Sequence, residues 1–171
     1  MSILYFAYGS NLCGARVAGR APGAVALRPA QLSGFELRWH KRSVDGSGKC
    51  SIQPSTFSAS VVHGVLYRLP LASKPKLDQV EGLGVGYTEV PVRVHSGPHI
   101  SEALTYVATP THVDESLKPY SWYKRLVVAG AVAQGLPPDY IDSLRTVVSL
   151  PDPDVERRAR HLADLPCDRA G

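Results

Sequence analysis

The chain is poor in the patterns that announce most chemistries. It carries three cysteines in 171 residues, Cys13, Cys50 and Cys167, with no Cys-x-x-Cys pair. A disulfide framework is therefore not expected. Its six histidines (40, 63, 95, 99, 112 and 161) fall in no His-Glu-x-x-His run and no Cys/His ligand spacing, so no metal is expected. No apolar run approaches the ~20 residues that cross a bilayer. The first twelve residues lack the basic flank of a signal peptide. Together these absences describe a cytoplasmic protein with no membrane partner.

Charge of one sign is also scarce as a block. Lys and Arg exceed Asp and Glu by 19 to 15, a net charge of +4, and most of the basic residues are dispersed. The densest groups, Arg38-Trp39-His40-Lys41-Arg42 and Arg157-Arg158-Ala159-Arg160, accompany no nucleic-acid-binding signature. They read as solvated surface, and no nucleic-acid partner is expected. Two glycine-rich stretches fail as phosphate cradles. Gly46-Ser47-Gly48-Lys49-Cys50 has Ser43 where a P-loop needs its first Gly, and Cys50 where it needs Ser or Thr. Gly82-Leu83-Gly84-Val85-Gly86 puts Tyr87 where a dinucleotide fingerprint needs its third Gly.

What is present describes one globular α+β domain over residues 1–150, followed by a charged C-terminal tail over 151–171. Residues 2–8 read as a strand and 11–19 as a short helix. One or two half-buried strands are expected over 24–42, where Val25, Leu27, Leu32, Phe35, Leu37 and Trp39 largely alternate. Residues 43–50 read as a loop by composition, and 61–69 as a further strand. A helix over about 73–81 has Pro75 near its first turn and Gly82 as its stop. The alternating runs 87–95 and 102–108 can pair across Ser96-Gly97-Pro98. Helices follow over 120–134 and 138–147, and the tail is either partly disordered or a loose terminal helix. Strands first and helices later, with one helix after the first strand, point to a curled mixed sheet.

The most informative stretch is Leu4-Tyr5-Phe6-Ala7-Tyr8-Gly9-Ser10-Asn11-Leu12. An apolar aromatic strand breaks at Gly9, and Ser10 and Asn11 then offer themselves as helix N-caps. Free backbone N–H groups at such a junction can hold a developing negative charge. The second stretch is Leu77-Asp78-Gln79-Val80-Glu81-Gly82. It ends a helix with a carboxylate beside the helix's negative end, a position where a solvated glutamate is the commoner reading and only slightly disfavoured. Cys13 and Ser10 are weighed as nucleophiles. Cys13 reads better as a small buried hydrophobe, and Ser10 lacks a Gly-x-Ser-x-Gly elbow and suits a donor role.

These two stretches, the Gly64-Val65-Leu66-Tyr67 strand with Tyr87 beyond it, and Tyr123-Lys124-Arg125 running on to Gly130 and Gly135-Leu136-Pro137 occur in order over about residues 3–148. In that order and spacing they resemble the γ-glutamylcyclotransferase family. The resemblance implies a mixed β-barrel-like sheet with flanking helices and a cofactor-free cavity for a small-molecule γ-glutamyl substrate. It implies a catalytic glutamate at Glu81 and a substrate loop at Tyr5, Phe6, Ala7, Tyr8, Gly9 and Ser10. Tyr123 and Tyr87 are implied as further substrate-side tyrosines. The 43–60 region and the 82–86 turn are this chain's own, and they fall where the leaving group would lie.

The chemistry suits these residue types. The α-amine of a γ-glutamyl compound can attack its own γ-carbonyl, closing a five-membered ring and expelling the attached amine as 5-oxoproline forms. Tethering supplies the nucleophile. The protein then needs one group to take the amine's proton and return it to the leaving nitrogen, which a single carboxyl can do in sequence. A non-catalytic binding protein of the same fold and a γ-glutamyl amide hydrolase remain the alternatives. The leaving group and the oligomeric state, a homodimer included, are left open.

Overall fold

The computed structural model describes residues 1–163 and residue 165; Cys167 and the end of the tail lie outside them. The opening aromatic run forms strand β1 (Ser2–Ala7), and helix α1 (Gly14–Arg20) follows after a short 3-10 turn. Then come β2 (Val25–Ser33), β3 (Phe35–Arg42), β4 (Gly48–Pro54) and β5 (Val61–Pro70). Helix α2 (Lys74–Glu81) leads to the hairpin of β6 (Tyr87–Ser96) and β7 (His99–Ala108). Helices α3 (Ser121–Ala133), α4 (Pro138–Thr146) and α5 (Val155–Ala163) complete the described chain.

Five strands close into a barrel in the order β1-β5-β2-β6-β7, and β3 with β4 forms a separate two-stranded ribbon. Every barrel pairing is antiparallel except the closing one, where Tyr5 of β1 meets Leu104 of β7 in parallel register. That single parallel contact makes the sheet mixed, as expected. Closure also removes the unpaired edges that an open sheet would present. Phe6, Val62, Val65, Leu66, Leu69 and Leu77 pack in the buried core. Full burial of such a side chain contributes about 1.5–3 kcal/mol.

Helix α3 lies close against the segment after β1. A Cβ at Gly130 would fall 2.5 Å from the Cys13 nitrogen and the Leu12 carbonyl carbon, so only glycine permits this approach. Helix α5 packs on α3 through His161, whose ring stacks on Trp122 at 3.9 Å and 12°. The Trp122 indole N–H donates to Asp152 Oδ2 at 2.7 Å. The tail is thus helical over Val155–Ala163, while residue 164 and residues 166–171 lie outside the described part.

Two local expectations differ from the structure. The helix expected over 11–19 is instead the 3-10 turn Ser10–Leu12 followed by α1, with no side-chain cap bond at either start. The loop expected over 43–50 ends earlier, because β4 begins at Gly48. Cys50, Ser51 and Ile52 are all buried, so the alternation that reveals a half-exposed strand is missing. Ser51 Oγ accepts the Ala108 N–H at 2.9 Å, and this tie seats the ribbon on β7.

Candidate active site

Glu81 is the last residue of α2, and Gly82 at φ 70° turns the chain away immediately after it. The helix thereby delivers the carboxylate to the mouth of the barrel beside the end of β1. Both of its hydrogen bonds fall on Oε1: Asn11 Nδ2 donates at 2.9 Å and Arg20 Nη1 at 3.0 Å. Among the described residues no hydrogen bond reaches Oε2. The pair is mostly covered, with 19% of the Arg20 side chain and 14% of the Glu81 side chain exposed. Its charges are consequently screened less than those of a surface pair.

Asn11 organises this end of the site. Besides Glu81 it donates to Tyr5 Oη at 2.8 Å, and its Oδ1 accepts from Arg20 Nη1 at 2.9 Å. The side chain expected as a helix cap is therefore spent on the carboxylate, the guanidinium and a phenol. The 3-10 turn is closed instead by backbone bonds from Leu12 to Gly9 and from Cys13 to Ser10. The N–H groups of Gly9 and Ser10 stand ahead of those bonds, at the start of the turn, where no turn carbonyl is available to them.

Two connected spaces meet at Glu81. An inner chamber of about 30 Å³ is lined by Tyr5, Tyr8, Gly9, Ser10, Asn11, Cys50, Glu81, Tyr87, Tyr106 and Tyr123. An outer chamber of about 340 Å³ shares Ser10, Glu81, Tyr87 and Tyr123 with it, and its wall adds Arg16, Arg20, Lys41, Lys49 and Arg157. The inner space is tight because its tyrosines are braced. Tyr8 Oη donates to the Tyr106 carbonyl and Tyr106 Oη to Asp78 Oδ1 at 2.6 Å. Tyr123 Oη accepts the Cys50 N–H at 3.0 Å, and Tyr87 Oη donates to the Cys50 carbonyl at 2.7 Å. Gly9 permits this closeness, since a Cβ there would lie 3.0 Å from Cys50 Cβ and 3.3 Å from Tyr123 Oη.

Burial is the main cause that holds the Tyr5, Tyr8, Tyr87 and Tyr123 phenols well above their ordinary value, and the Glu81 charge adds to it. At neutral pH these groups are neutral hydroxyls that can donate. Burial likewise pushes the Cys50 thiol up to about 12, so Cys50 lines the chamber as a thiol and not as a thiolate. In the outer chamber Lys49 is enclosed by aromatic rings, its ammonium 4.6 Å from the Trp122 centroid and 4.8 Å from that of Tyr123. Asp45 accepts from it at 2.7 Å.

Of the residues expected from sequence, Glu81, Tyr5, Tyr8, Gly9, Ser10, Tyr87 and Tyr123 converge on one chamber. Phe6 and Ala7 do not line it. The Phe6 ring packs against Gly64, and its carbonyl accepts from Thr105 Oγ1 at 2.8 Å. Asn11, Arg20, Cys50 and Tyr106 were not foreseen as site residues. Only Asn11 carried a signal, in the Gly-Ser-Asn break, and that signal reads as a cap. No group of three or more His, Cys, Asp or Glu among the described residues is placed to hold a metal ion.

Comparison with known proteins identifies the family. Residues 61–144 match the pattern of the AIG2-like family. The γ-glutamylcyclotransferase of Mus musculus is 32% identical over 160 residues, covering 85% of this chain and 79% of that protein. The Homo sapiens protein of the same name is 31% identical over 156 residues with the same coverage. A solved structure titled gamma-glutamyl cyclotransferase superposes with a TM-score of 0.81 at 27% identity, over 88% of this chain and 90% of its own. With relatives matched along most of its length and a shared barrel fold, the chain belongs to the γ-glutamylcyclotransferase family of enzymes.

Proposed function

We propose that the protein converts a γ-glutamyl amide into 5-oxoproline and a free amine, with Glu81 serving as base and then as acid. One observation carries this reading: Glu81 stands at the seam of the two chambers with Oε1 anchored and Oε2 without a protein hydrogen bond among the described residues. An anchored carboxylate with one unengaged oxygen is suited to moving a proton without moving itself.

In this scheme the γ-carbonyl end of the glutamyl part lies at the junction of the two chambers, against Tyr5, Tyr8, Tyr87 and Tyr123, and the amine to be released extends into the outer chamber. The α-ammonium gives a proton to Glu81. Its nitrogen then attacks the γ-carbonyl carbon, forming the ring C–N bond as the carbonyl electrons move onto oxygen. Collapse breaks the amide C–N bond. The two protons lost from the α-nitrogen during cyclisation are those gained by the amine, which departs as an ammonium. No water is consumed, and the substrate supplies its own nucleophile, so the scheme calls on no cofactor. The Gly9 and Ser10 N–H groups support the transient oxyanion in this scheme.

The test is mass-spectrometric detection of 5-oxoproline from a γ-glutamyl dipeptide, with native protein and with Glu81→Gln. Gln keeps the size of the side chain but cannot take the proton, so turnover should fall by at least ~10²–10⁴-fold while binding persists. Activity of folded Glu81→Gln within about threefold of the native protein would remove Glu81 from the role. An N-acetylated γ-glutamyl substrate should be inert, because the attacking lone pair is tied up in an amide. Its cleavage to N-acetylglutamate would establish a hydrolase instead.

A further inference from the structure

Most cations on the wall of the outer chamber are engaged by protein groups. Arg20 holds Glu81 at 3.0 Å, Lys49 holds Asp45 at 2.7 Å, and Arg157 holds Asp152 at 2.5 Å. Arg16 Nη1 lies 3.4 Å from His161 Nδ1. Lys41 is the exception. Its ammonium makes no ion pair or hydrogen bond among the described residues and lies over the face of Tyr87, 4.7 Å from the ring centroid. Burial disfavours its charged form, and the carboxylates that oppose this, Glu81 and Asp45, act only through space. A half-buried ammonium of this kind gains from an incoming anion.

Lys41 also borders a second space. A groove of about 450 Å³ adjoining the outer chamber shares Lys41, Val44, Val80 and Glu81 with it, and Val85 extends it. Its three valines are unusually uncovered for their type: Val44 is fully exposed, Val80 is 46% exposed and Val85 67%. Glu81 therefore has an unsatisfied cation and an apolar shelf beside it, in the region a departing amine would occupy.

Taking the cyclisation reading as its basis, we infer that Lys41 is the specificity-determining residue on the leaving-group side. It selects γ-glutamyl conjugates of α-amino acids with apolar side chains over γ-glutamyl conjugates of plain amines. The carboxylate of such an amino acid sits one carbon from the nitrogen that Glu81 protonates, so it can meet Lys41 while the side chain covers Val44, Val80 and Val85. An acidic side chain on that shelf would face Glu81 instead. Gly86 makes the arrangement possible, because a Cβ there would lie 2.8 Å from Lys41 Cε and Nζ. Alanine at that position would thus move the ammonium without removing it.

Three substrates test this: γ-glutamyl-leucine, γ-glutamyl-3-methylbutylamide, which lacks only the carboxylate, and γ-glutamylglycine, which lacks only the apolar side chain. Calorimetric affinities are measured in the Glu81→Gln background, where no turnover intervenes. Leucine should bind at least ~10-fold more tightly than the decarboxylated amide, as expected for a charge-assisted contact. It should also bind more tightly than glycine. Lys41→Met, which keeps the stem, should bring the leucine-to-amide ratio to within about threefold, and Gly86→Ala should lower it as well. Equal affinity for leucine and the amide, an unchanged ratio in Lys41→Met, or binding of neither ligand would overturn the assignment. Equal affinity for leucine and glycine would overturn its apolar half. Formation of 5-oxoproline by the native protein is read separately. Selective binding without 5-oxoproline refutes cyclisation and leaves Lys41 standing, and 5-oxoproline formed without selectivity does the reverse.

Discussion

Arg20 offers the sharpest test of how the site works, because it touches Glu81 without bordering the inner chamber. Its Nη1 bridges Glu81 Oε1 at 3.0 Å and Asn11 Oδ1 at 2.9 Å, so one nitrogen fixes both the carboxylate and the amide that also holds it. Arg20→Met keeps the apolar stem and removes both contacts. A hydrogen bond to a charged group contributes about 1.5–3 kcal/mol, and this pair is largely covered, so screening by solvent reduces that only in part. Asn11 alone would then orient Glu81. Misplacing a proton-transferring group by ~1 Å can cost ~10²-fold, so kcat should fall by ~10–10²-fold. KM should change by less than about threefold, since Arg20 does not line the inner chamber proposed to meet the glutamyl part. Arg20→Lys retains the charge on a shorter reach and should recover part of the loss. The assay is initial-rate 5-oxoproline release at saturating and limiting substrate, beside a thermal melt of each variant. A kcat within about threefold of the native value in folded Arg20→Met would refute the clamp. Loss through KM alone would show that Arg20 binds substrate instead.

Gly9→Ala should cut activity by more than its cost in melting temperature, because the new Cβ meets Cys50 Cβ at 3.0 Å and Tyr123 Oη at 3.3 Å and forces apart the walls of the inner chamber; activity equal to native would contradict a tight chamber. Iodoacetamide near neutral pH should leave turnover intact, since Cys13 and Cys50 are buried and burial pushes the Cys50 thiol up to about 12; inactivation that a folded Cys50→Ala variant escapes would disprove it. The buried phenols of Tyr5, Tyr8, Tyr87 and Tyr123 all titrate above their ordinary value in the fold. Their contribution to stability is therefore complete below pH ~10 and is lost as pH rises beyond it. Absorbance of phenolate should accordingly rise together with loss of near-ultraviolet dichroism, and a phenolate signal equivalent to all eight tyrosines in a still-folded protein would refute it.

The fold was legible where side-chain periodicity and punctuation agree. The β6–β7 hairpin, the stop of α2 at Gly82 and the α3–α4 pair separated by Gly135 to Pro137 lie close to where alternation, Pro and Gly place them. Strand β4 was not legible, because three successive buried residues erase the period on which a strand assignment rests. Barrel closure was legible through the family resemblance and not through local pattern: β1 meets β7 across about a hundred residues through one parallel contact, and no local periodicity encodes that pairing. At the site, Glu81 was carried by the family resemblance: a carboxylate at a helix's negative end is only slightly disfavoured, and on its own it reads as a solvated side chain. Arg20 gave no signal at all. A basic residue in the last turn of a short helix is favoured there by the helix dipole alone.

Asn11 shows why such roles escape local reasoning. After a strand and a glycine, Asn is among the best helix caps, and capping contributes about 0.5–2 kcal/mol. That preference is a comparison between the side chain's own neighbours in sequence. In the folded protein the competing partners are Glu81, 70 residues away, and Arg20, both charged. Contacts to charged groups contribute about 1.5–3 kcal/mol each, and Asn11 makes two of them together with a bond to Tyr5. The distant partners therefore win, and the turn gives up its side-chain cap to close on backbone bonds alone. By the same arithmetic Asn11→Asp should be worse than Asn11→Ser. Aspartate would still accept from Arg20 but would set a second negative charge against Glu81 Oε1, whereas serine is neutral and merely too short to reach all three partners. If Asn11→Asp released 5-oxoproline faster than Asn11→Ser in proteins of equal melting temperature, the amide would be acting as a cap after all, and Glu81 would have to be held by Arg20 alone.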